Sequence, residues 1–93
     1  MVYRFAVDIG ATRTMLALVE AFRPEIVAYD RPLTEVLFTG QRPPSQALAD
    51  AISEFLRRRR VEATELLGVG VGIPGVVDRT TGTVISCPNL PVL

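Results

Sequence analysis

Three short apolar runs, separated by polar turn-forming residues, open the chain. They cover residues 2–8, 14–20 and 25–30, and residues 22–24 mark the second turn. Runs of this length that are rich in strand formers and bounded by turn signals are typical of β-strands. Because the connections are short, the sequence predicts an antiparallel three-stranded meander.

The middle of the chain changes to a helical pattern. Gly40, Pro43 and Pro44 interrupt the strand pattern, and Ser45 is predicted to be the N-cap of a helix. Apolar residues then recur every three or four positions, at Leu48, Ala51, Ile52, Phe55 and Leu56. This stripe predicts an amphipathic helix that packs on one face of the sheet. Residues 33–38 are predicted either to extend the sheet or to run beside it.

A glycine-rich apolar run, LLGVGVGIPGVVD, follows the helix at residues 66–78. We expect a buried central strand that returns parallel to the first strand through a right-handed crossover. Gly70 and Gly72 would leave one face of it without side chains, so backbone, a helix or a ligand should approach closely there. A small hairpin is expected at residues 76–78 and 83–86, and residues 87–93 are expected to form a loop or a severed connection.

Composition limits the class of protein. The 93 residues suit one small domain, and 48% hydrophobic with 22% charged residues is globular composition. No apolar run approaches the roughly 20 residues needed to cross a bilayer, and the N-terminus lacks the pattern of a signal peptide. We therefore expect a cytoplasmic protein with no membrane partner.

Cysteine, histidine and charge exclude further classes. Cys87 is the single cysteine and histidine is absent, so we expect no disulfide, no zinc site and no imidazole catalysis. Ten arginines balance ten acidic residues, which predicts no nucleic-acid partner, and zero net charge favours a homo-oligomer. The cluster at residues 57–60 is interpreted as a solvated helix end in preference to an anion site.

The segment DIGATRT, residues 8–14, is the candidate site. Gly10 permits a tight turn after the first strand, and Thr12 and Thr14 offer hydroxyls beside free amide groups. Neither a Walker loop nor a dinucleotide fingerprint is present, so the tip of a hairpin would hold the phosphate. Asp8 would hold Mg²⁺ through water, since this ion usually keeps several water ligands. The alternative is an ordinary hairpin turn, because these residue types are common in turns.

Three motifs in order, DIGATRT, GVGIPGVVDRTTGTV and PNLP, resemble the N-terminal part of the ROK family of sugar kinases, glucokinases among them, and sugar-responsive repressors. The resemblance covers nearly the whole chain but about the first third of a family member. It implies an α/β fold, the actin-like ATPase (ribonuclease H-like) fold, in which two lobes close around nucleotide and sugar. Residues 1–93 would be a partial N-terminal lobe, with the C-terminal lobe absent.

The resemblance also implies roles for single residues. The ATP-binding positions would be Asp8, Gly10, Ala11, Thr12, Arg13 and Thr14, with Mg²⁺ at Asp8. Gly75 and Asn89 would lie near the sugar, although a plain turn and a loop cap are the alternatives. The family usually has DIGGT, whereas this chain has Ala11 in place of the second glycine, so a methyl group would crowd phosphate or require a negative φ.

The implied reaction is transfer of the γ-phosphoryl group of ATP to the 6-hydroxyl of a hexose such as glucose. The family's catalytic base is an aspartate that would lie beyond Leu93, so the chain alone is expected to be inactive. One alternative is the sugar-sensing domain of a ROK repressor, disfavoured because Met1 stands only seven residues ahead of Asp8. Another is a self-associating module with an open sheet edge.

Overall fold

The computed structural model describes residues 1–73 and the backbone of residues 76–78 and 83–86. The strands are β1 (Tyr3–Ile9), β2 (Thr14–Glu20), β3 (Ile26–Asp30), β4 (Leu66–Gly72), β5 (Val76–Asp78) and β6 (Thr83–Ser86). The helices are α1 (Thr34–Leu37) and α2 (Pro44–Arg58), and a 3₁₀ turn spans Ala63–Glu65. None of the helices in this described part is long and apolar enough to span a membrane.

Four strands form one mixed sheet in the order β3-β2-β1-β4. β1 pairs antiparallel with β2, and β2 pairs antiparallel with β3, with an irregularity between Leu18 and Val19. β4 runs parallel to β1 after the crossover through α2. The predicted meander with one added parallel strand is confirmed, and β5 and β6 form the predicted antiparallel hairpin.

One face of the sheet carries the hydrophobic core. Phe5, Val7 and Ile9 alternate along β1 and are nearly inaccessible, and α2 covers them with its apolar stripe. The ring of Phe55 meets that of Phe5 edge to face, with centroids 5.0 Å apart. Truncating such a buried aromatic side chain to alanine typically costs about 3–5 kcal/mol. The predicted amphipathic helix and its packing face are therefore confirmed.

Two local predictions need correction. α2 begins at Pro44 with Pro43 as its N-cap, because proline is preorganised for the first helical position and lacks only an amide that would have no helical partner. Ser45 lies inside the helix. Of the two alternatives for residues 33–38, extension of the sheet exists only at Leu33, which makes an isolated bridge with Arg13, and residues 34–37 form one helical turn.

The opposite face of the sheet, which we call the open face, carries the glycines of β4. Gly68, Gly70 and Gly72 pair with Arg4, Ala6 and Asp8 of β1. A methyl group built on Gly68 or Gly70 would meet nothing within 4 Å. The predicted burial of β4 is thus wrong for the described residues, because the strand lies at the edge of their sheet and Leu67 to Gly72 are exposed.

Candidate functional site

The tip of the β1–β2 hairpin, residues 10–13, is held by a short backbone contact. The amide of Gly10 donates to the carbonyl of Arg13 at 3.0 Å. A Cβ atom on Gly10 would lie 2.6 Å from that carbonyl oxygen, which is too close for any real side chain. The φ of Gly10 is outside the left-handed region, so this position requires glycine because of the close approach and not because of backbone twist.

The outer side of the tip is exposed and rich in donors. Ala11, Thr12 and Arg13 are exposed, and within the described residues their amide groups donate to no protein acceptor. Free amide groups in a turn form a concave surface that attracts anions. From the sequence, the methyl group of Ala11 is expected either to crowd phosphate or to require a negative φ. Ala11 has no positive φ, so the second of these consequences is the one observed.

The inner side of the tip is closed by a buried pair of threonines. Thr14 and Thr34 are buried, and their hydroxyl oxygens lie 2.9 Å apart. The hydroxyl of Thr34 donates to the carbonyl of Gly10 at 2.7 Å. Thr14 therefore supports the turn from beneath in this structure, and its direct contact with phosphate stays a prediction.

Asp8 lies on the open face beside the tip. β1 continues to Ile9, so Asp8 is inside the strand and not at its end as the sequence suggested. Its side chain is exposed and forms no ion pair with any other described residue. The carboxylate Oδ1 would lie 3.5 Å from a methyl group on Gly72, so the glycine keeps one side of Asp8 open.

A cleft of about 330 Å³ connects Asp8 with the tip. Its lining consists of Asp8, Arg13, Met15, Ile26, Tyr29 and Arg31. The guanidinium Nη1 of Arg13 donates to the backbone carbonyl of Arg31 at 2.7 Å, which keeps the two arginines together. Two guanidinium groups beside exposed amides favour a phosphate-like anion, since arginine matches its geometry.

Sequence reasoning missed Tyr29 and Arg31. The predicted meander could have indicated them. Because β3 runs antiparallel to β2, the end of β3 lies beside the start of β2 and therefore beside the tip. Leu16 pairs with Asp30, which places Arg31 next to the tip. Any side chain in the last residues of β3 or just after it was therefore a candidate for the site.

A larger cavity, about 630 Å³, lies elsewhere, between α1, α2 and the end of β3. Apart from Arg31, which also lines the smaller cleft, its charged groups have partners, as in the pairs of Arg42 with Asp50 and Arg58 with Asp30. Hydrogen bonds from Gln46 and Arg42 lower the pKa of Asp50. We favour the smaller cleft as the functional site because its charged side chains form no ion pair among the described residues and the amides of the neighbouring tip are free.

The donor set fits magnesium better than a metal held by protein alone. Within the described ranges, no group of three or more histidine, cysteine, aspartate or glutamate side chains can hold a metal ion. Mg²⁺ commonly binds through one or two carboxylates together with waters and substrate phosphates. Asp8 alone is therefore compatible with a magnesium ion that arrives with a phosphate ligand.

The two predicted sugar-pocket residues, Gly75 and Asn89, lie outside the described residues. Their roles stay predictions.

The mixed sheet with its crossover helix is the architecture of the N-terminal lobe of actin-like ATPases. A solved structure of a candidate sugar kinase from Cytophaga hutchinsonii superimposes with a TM-score of 0.74 at 27% sequence identity, over 96% of this chain and 28% of that chain. The ROK family model matches residues 4–93. The chain belongs to the ROK family.

Two curated relatives are repressors. A candidate xylose repressor of Caldicellulosiruptor sp. strain Rt8B.4 is 30% identical over 84 residues, which is 90% of this chain and 21% of the relative. The xylose repressor of Caldicellulosiruptor bescii is 35% identical over 43 residues, 46% of this chain and 11% of the relative. The chain therefore spans about a fifth of the length of the first relative and a smaller share of the second.

Proposed function

We propose that this chain supplies the phosphate-holding edge of a ROK sugar kinase that transfers the γ-phosphoryl group of ATP to the 6-hydroxyl of a hexose, with glucose as the first candidate. The observation that carries the proposal is the cleft in which Asp8 and Arg13 lie beside the free amides of the hairpin tip. Residues 1–93 would form part of the N-terminal lobe, and the facing lobe would supply the rest of the site.

The residues of the tip would have separate tasks. Amides of Ala11, Thr12 and Arg13 would donate to phosphate oxygens, and the guanidinium groups of Arg13 and Arg31 would attract the anion. Asp8 would hold Mg²⁺ through water. When bound, ATP supplies the phosphoryl group and magnesium neutralises part of its charge. Gly75 and Asn89 are proposed to contact the sugar.

Binding to the chain itself is the first test. We expect MgATP to bind with an affinity that falls at least about tenfold in Arg31→Gln, since a charge-assisted hydrogen bond contributes about 1.5–3 kcal/mol. The matched control is Arg23→Gln, because Arg23 is exposed at the other end of the hairpin and pairs only with Glu20 among the described residues. Asp8→Asn should reduce the dependence of ATP binding on magnesium. Equal affinity in all variants would count against the site.

Turnover is the second test, on the protein encoded by the complete reading frame. We expect glucose-dependent release of ADP, with the phosphoryl group recovered on the 6-hydroxyl of the sugar. A survey of hexoses and pentoses would establish the preferred substrate. Absence of ADP release with every sugar, in a protein that binds MgATP, would overturn the kinase assignment.

The similarity to the two xylose repressors favours a second candidate, a sugar-responsive repressor that binds sugar without turnover. This protein would bind xylose, show no ADP release and change its affinity for operator DNA when sugar is present. A gel-shift assay with and without xylose distinguishes the two candidates, because the kinase proposal predicts no sugar-dependent shift of DNA.

Self-association is the third candidate, supported by the edge position of β4. Leu67, Val69 and Val71 expose 58%, 49% and 44% of their surface there. An open edge with exposed apolar side chains invites pairing with a second copy. Sedimentation of the chain at high concentration tests this, and a strictly monomeric species would contradict it.

A further inference from the structure

We propose that Thr34 is the positioning residue of the phosphate-binding tip: it orients two peptide groups of the tip, Gly10–Ala11 and Thr12–Arg13, so that the amides of Ala11 and Arg13 face the anion. The inference rests on the proposed function, because it assumes that the tip binds phosphate. Thr34 lies 24 residues beyond Gly10 in the sequence, at the first position of α1. Thr34 is not one of the residues that line the cleft, and its hydroxyl and amide both bond to the tip, so we infer that it acts through the tip.

Thr34 reaches two peptide groups of the tip at once. Its hydroxyl donates to the carbonyl of Gly10 at 2.7 Å, and its amide donates to the carbonyl of Thr12 at 2.9 Å. Its side chain is almost completely buried, at 1% exposure, so water does not compete for these bonds. A buried hydroxyl that lost such partners would leave polar groups unsatisfied.

Counting hydrogens fixes the direction of the bond between the two threonines. A hydroxyl group has a single hydrogen, and the carbonyl of Gly10 can only accept. The hydrogen of Thr34 is therefore used on Gly10, so Thr14 must donate to the oxygen of Thr34. The chain of hydrogen bonds runs from Thr14 to Thr34 to Gly10, and Thr34 is its centre.

This arrangement determines where the tip amides point. In a trans peptide the carbonyl and the next amide point in opposite directions, and no cis peptide occurs in the described residues. With the carbonyl of Gly10 directed inward at Thr34, the amide of Ala11 is directed outward. The carbonyl of Thr12 is held in the same way, which directs the amide of Arg13 outward. Thr34 thus determines the outward direction of both amide donors, that of Ala11 and that of Arg13.

The experiment follows the amide NMR signals of Ala11 and Arg13 in the full chain during titration with MgATP and with inorganic phosphate. Thr34→Val keeps the shape but removes the hydroxyl, and we expect affinity to fall about tenfold, the scale of a lost hydrogen bond to a buried group. Thr34→Ser restores the hydroxyl and should recover most of the affinity. Thr39→Val is the matched control, because the Thr39 side chain is exposed.

A fourth variant tests the direction of the hydrogen-bond chain. Thr14→Val removes the donor to Thr34 but leaves the bond from Thr34 to Gly10 intact, so its effect on affinity should be smaller than that of Thr34→Val. Equal affinity of Thr34→Val and the unsubstituted chain would overturn the inference while leaving the proposed function intact. Failure of Thr34→Ser to recover affinity would also overturn it.

An exchange measurement separates failure of the inference from failure of the proposed function. Without ligand, Thr34→Val should speed hydrogen exchange at the amides of Gly10 and Thr14 at least about tenfold, because Gly10 lies in the tip that Thr34 holds and Thr14 directly follows the tip. Exchange in β1 and β4 should not change. If the unsubstituted chain bound neither anion, the proposed function would fail, and unchanged exchange at Gly10 would show separately that Thr34 does not hold the tip.

Discussion

Asp8 and Gly72 pair across β1 and β4 on the open face, and a methyl group on Gly72 would lie 3.5 Å from Oδ1 of Asp8. Gly68 pairs with Arg4 on the same two strands and the same face, where a methyl group would meet nothing. The glycine opposite Asp8 therefore leaves free the space next to the carboxylate. Any ligand of that carboxylate can use this space.

Filling that space should weaken the binding of MgATP. We expect Gly72→Val to reduce affinity about tenfold, because a β-branched side chain next to Asp8 would crowd a hydrated metal ion and restrict the carboxylate. Isothermal titration with MgATP measures the change.

Gly68→Val is the matched control for this experiment, since it places the same side chain on the same strand away from Asp8. It should retain the affinity of the unsubstituted chain. An equal loss in both variants would show that valine disturbs β4 as a whole, and no loss in Gly72→Val would show that the space beside Asp8 is not used.

A side chain at Gly10 should destabilise the fold. Its Cβ would lie 2.6 Å from the carbonyl oxygen of Arg13, so Gly10→Ala must open the tip and break the contact between those two residues. We expect the free energy of unfolding to fall by about 1–3 kcal/mol, the usual cost of forced overpacking. Urea denaturation measures it.

Gly70→Ala provides the comparison for the turn glycine. A methyl group there meets only open space, and the substitution reduces the freedom of the unfolded chain. It should therefore leave the stability unchanged or raise it by about 0.4–1 kcal/mol. If Gly10→Ala were as stable as Gly70→Ala, the close contact at the tip would not be a constraint in solution.

Much of the fold could be predicted from local pattern. The first three strands were found as apolar runs bounded by turn-forming residues, and α2 was found from apolar positions that recur at helical spacing. The parallel return of β4 followed from a helix between two apolar runs. From the pattern alone, the DIGATRT turn could be either a phosphate site or an ordinary hairpin turn. The resemblance to the ROK family favoured the phosphate site.

The rest depended on contacts that no local pattern contains. Thr14 lies on the same face of β2 as Leu16 and Leu18, so the alternation of the strand predicts that its side chain points into the core. The partner of its hydroxyl, however, is Thr34, which is 20 residues away in the sequence. Thr34 is also the first residue of α1, and both its amide and its hydroxyl bond to the tip. The exposure of β4 depends on what packs beside it, and its own sequence does not contain that information.

Two neighbouring arginines at the end of α2 should differ sharply in their effect on stability. Arg59 lies over the ring of Phe55, 3.6 Å from its centroid, and donates to Asp30 at 3.1 Å. Arg57 is 72% exposed and pairs only with Glu54 among the described residues. We expect Arg59→Ala to cost about 1–2 kcal/mol through the lost cation–π and ion-pair contacts, whereas Arg57→Ala should leave the free energy of unfolding nearly unchanged.

Thermal and urea unfolding of both arginine variants test this difference. The loss in Arg59→Ala should persist in part at high salt, because stacking on an aromatic ring is less screened than an exposed ion pair. Equal losses for the two variants would mean that the position above Phe55 contributes no stability.

The stability of the chain should fall in acid, partly through Asp50. Hydrogen bonds from the Gln46 amide, and then from Arg42, hold the pKa of Asp50 below its ordinary value of 3.8. A carboxylate whose pKa is lower in the folded state stabilises the fold above the pKa of the unfolded chain. That contribution is lost as the pH falls from about 3.8 through the lower folded value, so Asp50→Asn should flatten the acid limb of the stability curve.

Gln46→Ala isolates the largest cause of the shift. The Gln46 amide donates to Asp50 at 2.9 Å, so its removal should raise the pKa of Asp50 towards 3.8 while Arg42 still holds it somewhat below. A carboxyl-detected NMR titration reads this pKa directly. Gln41→Ala is the matched control, because Gln41 is exposed and makes no side-chain hydrogen bond among the described residues, and it should leave the pKa unchanged. An unaltered pKa of Asp50 in Gln46→Ala would show that the Gln46 amide does not stabilise the charged carboxylate, and the acid sensitivity would then have to come from Arg42 alone.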